Sequence, residues 1–143
     1  MSETTPTLLT SRVGEQLETV LAKPEPMCLL IVTVESEVEI TSLVETRLRG
    51  NLRTYDRLWR IDEVSHAVML RTLADANTLD SKLHHLFSFL TLPYPVDGSE
   101  ITVRIRLGGA VRLPQDTASS LMERVGQALQ TADETGCVGP VLL

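Results

Sequence analysis

The chain has 143 residues, enough for one domain with its own core, and 43% of them are hydrophobic, which excludes a disordered tail. Its formal net charge of −6 argues against general affinity for nucleic acid or acidic membranes. Aromatic residues make up only 3%, so Leu, Val, Ile and Ala must build the interior.

Residues 1–8 read as a loose, flexible N-terminus, and 9–143 as a single domain without repeats, low-complexity tracts or linkers. The opening "MSETTPTLLTSR" is polar and lacks the apolar core of a secretory leader. No apolar run is long enough to span a bilayer, so the expectation is a cytoplasmic protein. From Ser11 to about Ala22, the residues Val13, Leu17, Val20 and Leu21 recur at helical spacing, with Ser11 as a candidate cap. "KPEP" then breaks the helix. "MCLLIVTV", residues 27–34, is nearly all apolar and rich in branched side chains, as expected of a central strand buried on both faces. Residues 40–53 read as a helix, with Ile40, Leu43, Val44, Leu48 and Leu52 on one side and Gly50 weakening it.

A hairpin follows, with strands near 57–61 and 66–71 around the charged turn Asp62-Glu63-Val64-Ser65. Residues 75–90 form the next helix, with Leu79, Leu83, Leu86, Phe87 and Leu90 as its apolar stripe. "TLPYPVDGSE" is a loop with an Asp-Gly turn. Residues 100–111 alternate Ile101, Val103, Ile105 and Leu107 against Thr102, Arg104 and Arg106, the pattern of a half-buried strand. Gly108-Gly109 reads there as a bulge or strand end, because no G-K-[ST] follows to make a phosphate loop. A last helix runs from about Thr117 to Glu134, capped by Thr117 or Ser119 and closed by Gly136. The order α-β-α-β-β-α-β-α implies an α+β sheet covered by helices.

Few side chains suggest chemistry. Cys28 lies in an apolar run and Cys137 near the C-terminus, with no spacing for a disulfide framework or zinc site. His84 and His85 are helix neighbours that point apart, one expected at the core edge and one in solvent. His66 reads as a packed strand residue, and Trp59 as packed against a helix. The basic residues are concentrated: Arg47, Arg49, Arg53, Arg57 and Arg60 fall within fourteen positions, and only Lys23 and Lys82 are lysines. Arginine offers a planar fork for phosphates and base edges. Such a patch on an acidic protein fits a small anionic ligand, an acidic partner, or merely a solvated face.

Five strings in order resemble the GGDEF family, the diguanylate cyclase domain of bacterial signalling proteins. "TLLTSRV" (7–13) is similar to the family's L-T-G-L-x-N-R, and "CLLIVTVE" (28–35) to its L-L-L-D-L-D strand. "DRLWRIDEVSHAVML" (56–70) resembles D-x-x-x-R-[apolar]-G-G-D-E-F-A-V-L-L. "LGGAV" (107–111) resembles the S-I-G-V-A strand end, and "LMERVGQALQTADETG" (121–136) the L-x-x-A-D-x-A-L-Y-x-A-K-x-x-G helix. The resemblance spans most of the chain. It implies the GGDEF/nucleotidyl-cyclase-like fold, a central mixed, mostly antiparallel sheet flanked by helices.

Family members fuse two GTP molecules into cyclic di-GMP. They use glycines in the hairpin turn, a turn acid and a strand Asp for Mg²⁺, a base-reading Asn and Asp, and a Lys on the last helix. Here the G-G-D-E-F positions are Asp62, Glu63, Val64, Ser65 and His66. A two-residue slide restores D-E but puts Arg60 and Ile61 at the glycines. The strand Asp is Thr33, with Glu35 the nearest acid, and the Lys position is Asp133. Residues 36–53 are too few for the family's base-reading segment. The resemblance therefore implies a pseudoenzyme with no catalytic residues, metal or cofactor. One family feature persists: the R-x-x-D of the product-binding inhibitory site, as Arg53 and Asp56, five residues before the turn. It implies a cyclic di-GMP site at Arg53 and Asp56, with Arg57, Arg49 and Arg60 as further contacts. The alternative is a nucleotide-independent module for a protein partner or self-association.

Overall fold

The structure is a computed structural model describing residues 14–23, 25–71 and 76–143. The expected loose residues 1–8, the string 7–13, Val13 and the Ser11 cap lie outside them.

Among the described residues, four helices and seven strands follow in order: α1 (Gly14–Leu21), β1 (Cys28–Glu35), α2 (Thr41–Gly50), β2 (Arg57–Arg60), β3 (Ser65–Leu70), α3 (Ala76–Leu90), β4 (Tyr94–Val96), β5 (Ser99–Ile101), β6 (Arg104–Val111), α4 (Ala118–Glu134) and β7 (Val141–Leu142). The main sheet has the order β2-β3-β1-β6-β7. It is antiparallel except for β7, which runs parallel to β6. The expected mixed, mostly antiparallel sheet is present.

β1 explains the architecture. It is central, and seven of its eight residues are at least partly shielded, so both faces must meet helices. Strand periodicity splits its side chains. Cys28, Leu30, Val32 and Val34 join Val44 and Leu48 of α2 and Leu79, Leu83, Leu86 and Leu90 of α3 in one core. Leu29 and Ile31 join Leu17 of α1 and Leu121 and Val125 of α4 in the other. Each fully buried aliphatic side chain contributes roughly 1.5–3 kcal/mol, so this strand anchors both layers.

Several boundaries differ from the sequence reading. α2 stops at Gly50 rather than 53. The next residues turn instead, with Asp56 N–H donating to the Arg53 carbonyl at 3.0 Å. The hairpin sits one residue earlier than expected, with residues 61–64 between its strands. The strand expected over 100–111 is broken. Ser99–Ile101 pairs with Tyr94–Val96 in a separate ribbon, turned by Asp97 and Gly98, both at positive φ. Gly108 and Gly109 are neither bulge nor strand end. They lie within β6, in continuous register with Ile31 and Leu30. A Cβ on Gly108 would come 2.7 Å from Leu129 N and 2.9 Å from Ala128 C, so Gly108 lets α4 press on the sheet.

α4 is capped as Thr117 predicts. Its hydroxyl accepts from Ser120 N–H, and Ser120 Oγ accepts from Thr117 N–H. Ser119 takes no part in that cap. Gly136, at φ 84°, closes the helix, and Cys137 N–H donates to the Ala132 carbonyl at 2.8 Å. Trp59 is half-buried in the second core, beside α1 and α4 residues. Both His84 and His85 are exposed, correcting the expectation that one reaches the core edge. No helix among the described residues is long and apolar enough to cross a membrane.

Candidate functional site

The hairpin turn is built by side chains other than glycine. Asp62 Oδ1 accepts from Val64 N–H at 2.8 Å, an Asx turn that does the bending. Asp62, Glu63 and Val64 sit in the turn, Val64 47% exposed, while Ser65 and His66 open β3. Arg60, a glycine position in the shifted alignment, is a paired strand residue opposite His66. Thr33 also faces Ser65 across the ladder, and their hydroxyl oxygens lie 3.0 Å apart. Neither Thr33 nor Val64, the two positions the resemblance assigns to magnesium ligands, offers a carboxylate. Magnesium needs hard, charged oxygens, and these residues do not fit it.

The entrance to α2 is sealed as well. A helix N-terminus is a natural anion seat. Here the Glu39 carboxylate takes the Thr41 N–H at 2.5 Å, and Thr41 Oγ1 donates to the Glu63 carbonyl at 2.5 Å. Hydrogen bonding from Thr41 holds Glu39 below the usual carboxylate range. Thus a fixed negative charge occupies the place an incoming phosphate would take.

His66 is 1% exposed, and its Nε2 lies 3.1 Å from Glu45 Oε2. Arg60 pairs with the same oxygen. The hydrogen bond from His66, and then those from Arg60, hold Glu45 below its ordinary value against the opposing effect of burial. Sequence reasoning found His66 and Arg60 but missed Glu45. Its only signal was its position on the same helix face as Thr41 and Leu48, one turn from each.

The second candidate is the R-x-x-D loop. Asp56 is buried, and its carboxylate is already engaged. Oδ2 accepts from Arg53 N–H at 3.0 Å, Oδ1 accepts from Arg71 N–H at 3.2 Å, and Lys82 Nζ lies 3.9 Å away. Asp56 therefore fastens the loop to the end of β3. Arg53 extends outward, with Nη1 donating to the Tyr55 hydroxyl at 3.1 Å.

The arginine run divides in two. Arg47 is structural: its guanidinium stacks 3.7 Å over the Tyr94 ring and donates to the carbonyls of Phe89, Leu92 and Pro93 at 3.1, 2.6 and 2.6 Å. Arg60 is tied to Glu45, and strand alternation puts it on the face opposite Arg57. Arg49, Arg53 and Arg57 are exposed, and among the described residues no carboxylate pairs with them.

At the far edge, Asp133 does not stand alone. Arg106 reaches it at 3.6 Å and Glu35 at 3.7 Å, while Arg104 lies 3.5 Å from Glu35. Glu35, Asp133 and Cys137 gather ligand atoms within 4.8 Å of one another. The two guanidiniums already neutralise the two carboxylates, so the cluster reads as an ion-pair network.

No family profile matches the sequence, and no curated protein matches it. Solved structures do match. The GGDEF domain of YfiN (TpbB) from Pseudomonas aeruginosa superposes with a TM-score of 0.76 at 20% identity, covering 95% of this chain and 93% of that one. The GGDEF domain of DgcB from Caulobacter crescentus, solved in complex with c-di-GMP, gives 0.79 at 15% identity, covering 92% and 88%. The GGDEF domain of FimX from Pseudomonas aeruginosa gives 0.70 at 13% identity, covering 94% and 89%. The sheet order, the two helical layers and these superpositions agree: the chain has the fold of GGDEF domains.

Proposed function

We propose that this chain is a regulatory GGDEF-type domain without cyclase activity that binds cyclic di-GMP at the surface around Arg53. The observation that carries the reading is the trio Arg49, Arg53 and Arg57, exposed and unpaired by carboxylates among the described residues of an acidic protein. An arginine fork matches phosphate oxygens and the O6/N7 edge of guanine. Tyr55, 36% exposed beside Arg53, adds a ring face for a base. Asp56 serves this site by holding the Arg53 loop rather than by touching ligand, since its oxygens already serve two backbone N–H groups. Arg60 contributes least, because Glu45 holds it.

Loss of catalysis rests on separate ground. Thr33 and Val64 supply no metal-binding charge, and Glu39 opposes a phosphate at the α2 entrance. Transfer of a nucleotidyl group depends on metal positioning and charge stabilisation, and the chain supplies neither.

Calorimetric titration of cyclic di-GMP into wild type and Arg53→Ala tests the reading. Micromolar binding, weakened at least about tenfold in the variant, is expected, because charge-assisted contacts of this kind contribute about 1.5–3 kcal/mol. GTP with magnesium should give no cyclic product. Absence of heat and of a thermal shift at saturating ligand would overturn the nucleotide reading and leave a protein-interaction module.

A further inference from the structure

A cleft of about 210 Å³ opens beyond the end of β1, between the 36–40 segment, the start of α2 and the hairpin turn. Val34, Glu37, Val38, Glu39, Glu63, Val64 and His66 are among its walls, and among the described residues no lysine or arginine lines it. Glu37, Glu39 and Glu63 are exposed and have no ion-pair partner among the described residues. Arg60, whose charge is felt by Glu39, is itself paired with Glu45.

A second observation points the same way. His66, also a wall of the cleft, leaves Nδ1 buried without a hydrogen-bond partner among the described residues. Glu45 can only accept, so Nε2 carries the proton between them, and in that tautomer Nδ1 is the lone-pair nitrogen. A buried acceptor without a donor is unfavourable, and a donor supplied from outside would relieve it. On the rim, Val38 and Val64 remain 42% and 47% exposed, aliphatic contacts flanking a negatively charged opening.

We propose that this cleft receives the guanidinium or ammonium head of a basic side chain from a protein partner, with that partner's aliphatic neighbours on Val38 and Val64. Carboxylates at the mouth attract and orient the cation, and the side chain's donors reach toward His66. The N-terminus of α2 does not oppose this, because Glu39 already neutralises it. The site involves none of Arg49, Arg53 and Arg57, so it stands or falls independently of nucleotide binding.

The test is an amide chemical-shift titration with acetyl-Leu-Arg-Leu-amide and with the same peptide carrying neutral citrulline in place of Arg. The arginine peptide should shift residues 37–41, 63, 64 and the His66 ring nitrogens, bind about tenfold tighter than its citrulline twin, and weaken with added salt. The doubly substituted Glu37→Gln/Glu63→Gln protein should lose about tenfold while melting as wild type does, since both side chains are exposed. Equal responses to the two peptides would overturn the proposal. So would pyrophosphate shifting the same residues. Argininamide binding as well as the tripeptide would overturn the protein source, assigning the cleft to a free organic cation.

Discussion

Asp56 shows how one residue can satisfy a motif and still do something else. Its carboxylate accepts two backbone N–H groups, from Arg53 and Arg71, in a buried position. Removing such an acceptor leaves donors unsatisfied at about 1–3 kcal/mol. Asp56→Ala should therefore lower unfolding free energy by that amount in urea denaturation and reduce cyclic di-GMP affinity only through the loop. A residue used solely as a ligand contact would leave stability unchanged on replacement. The sequence identified Asp56 by spacing but not this role, because Arg71 lies fifteen residues away and its N–H arrives only when β3 pairs. Cys28 was more legible. Its apolar run predicted burial, and burial pushes its thiol up to about 12, where it is inert at neutral pH.

Among the elements, β6 and α4 carry the sharpest steric constraint. The backbone of α4 lies so close to Gly108 that a methyl group there would meet Leu129 N at 2.7 Å. Gly108→Ala should destabilise by about 1–3 kcal/mol in thermal or urea unfolding, through displacement of the helix. Gly109→Ala should cost less, because its nearest neighbour is the flexible end of Leu30. A Gly108→Ala protein as stable as wild type would mean that α4 can lift without loss. The helices were legible because their apolar residues recur on one face, as Leu79, Leu83, Leu86 and Leu90 do in α3. β4, β5 and β7 were not. They are two or three residues long, too short for periodicity, and β7 exists only because β6 gives it a partner.

Across the whole molecule, the depressed carboxylates Glu39, Glu45 and Asp116 lie before α2, on α2 and in the loop before α4. Glu45 on α2 is held down chiefly by the hydrogen bond from His66. For Asp116, burial pushes upward, but hydrogen bonds from Arg124, Leu113 N–H and Ser120 outweigh it and the net shift is down. A carboxylate whose folded pKa is depressed adds stability above its unfolded value of about 4, and that stability disappears as pH falls through the folded pKa. Melting temperature should thus be nearly flat between about pH 7 and 5 and drop below about pH 4. Asp116→Asn should melt lower at neutral pH and show a shallower acid slope. An unchanged slope would remove Asp116 from the acid response.

The sequence by itself determined the layers. An apolar β1, amphipathic helices and a charged hairpin turn fix which segments are strands and which faces are covered, because burial follows local periodicity. It also determined that Thr33, Val64 and Asp133 stand at the positions that the resemblance assigns to metal ligands and a phosphate-binding lysine. Only the tertiary structure decided how the arginines divide. Arg47 caps α3 and stacks on Tyr94, Arg60 joins Glu45 and His66, and Arg49, Arg53 and Arg57 stay in solvent. Charge pairing depends on distances between residues far apart in the chain, and no local pattern encodes those distances. The acidic cleft was hidden for the same reason: Glu37, Glu39 and Glu63 become neighbours only when the hairpin folds against the start of α2.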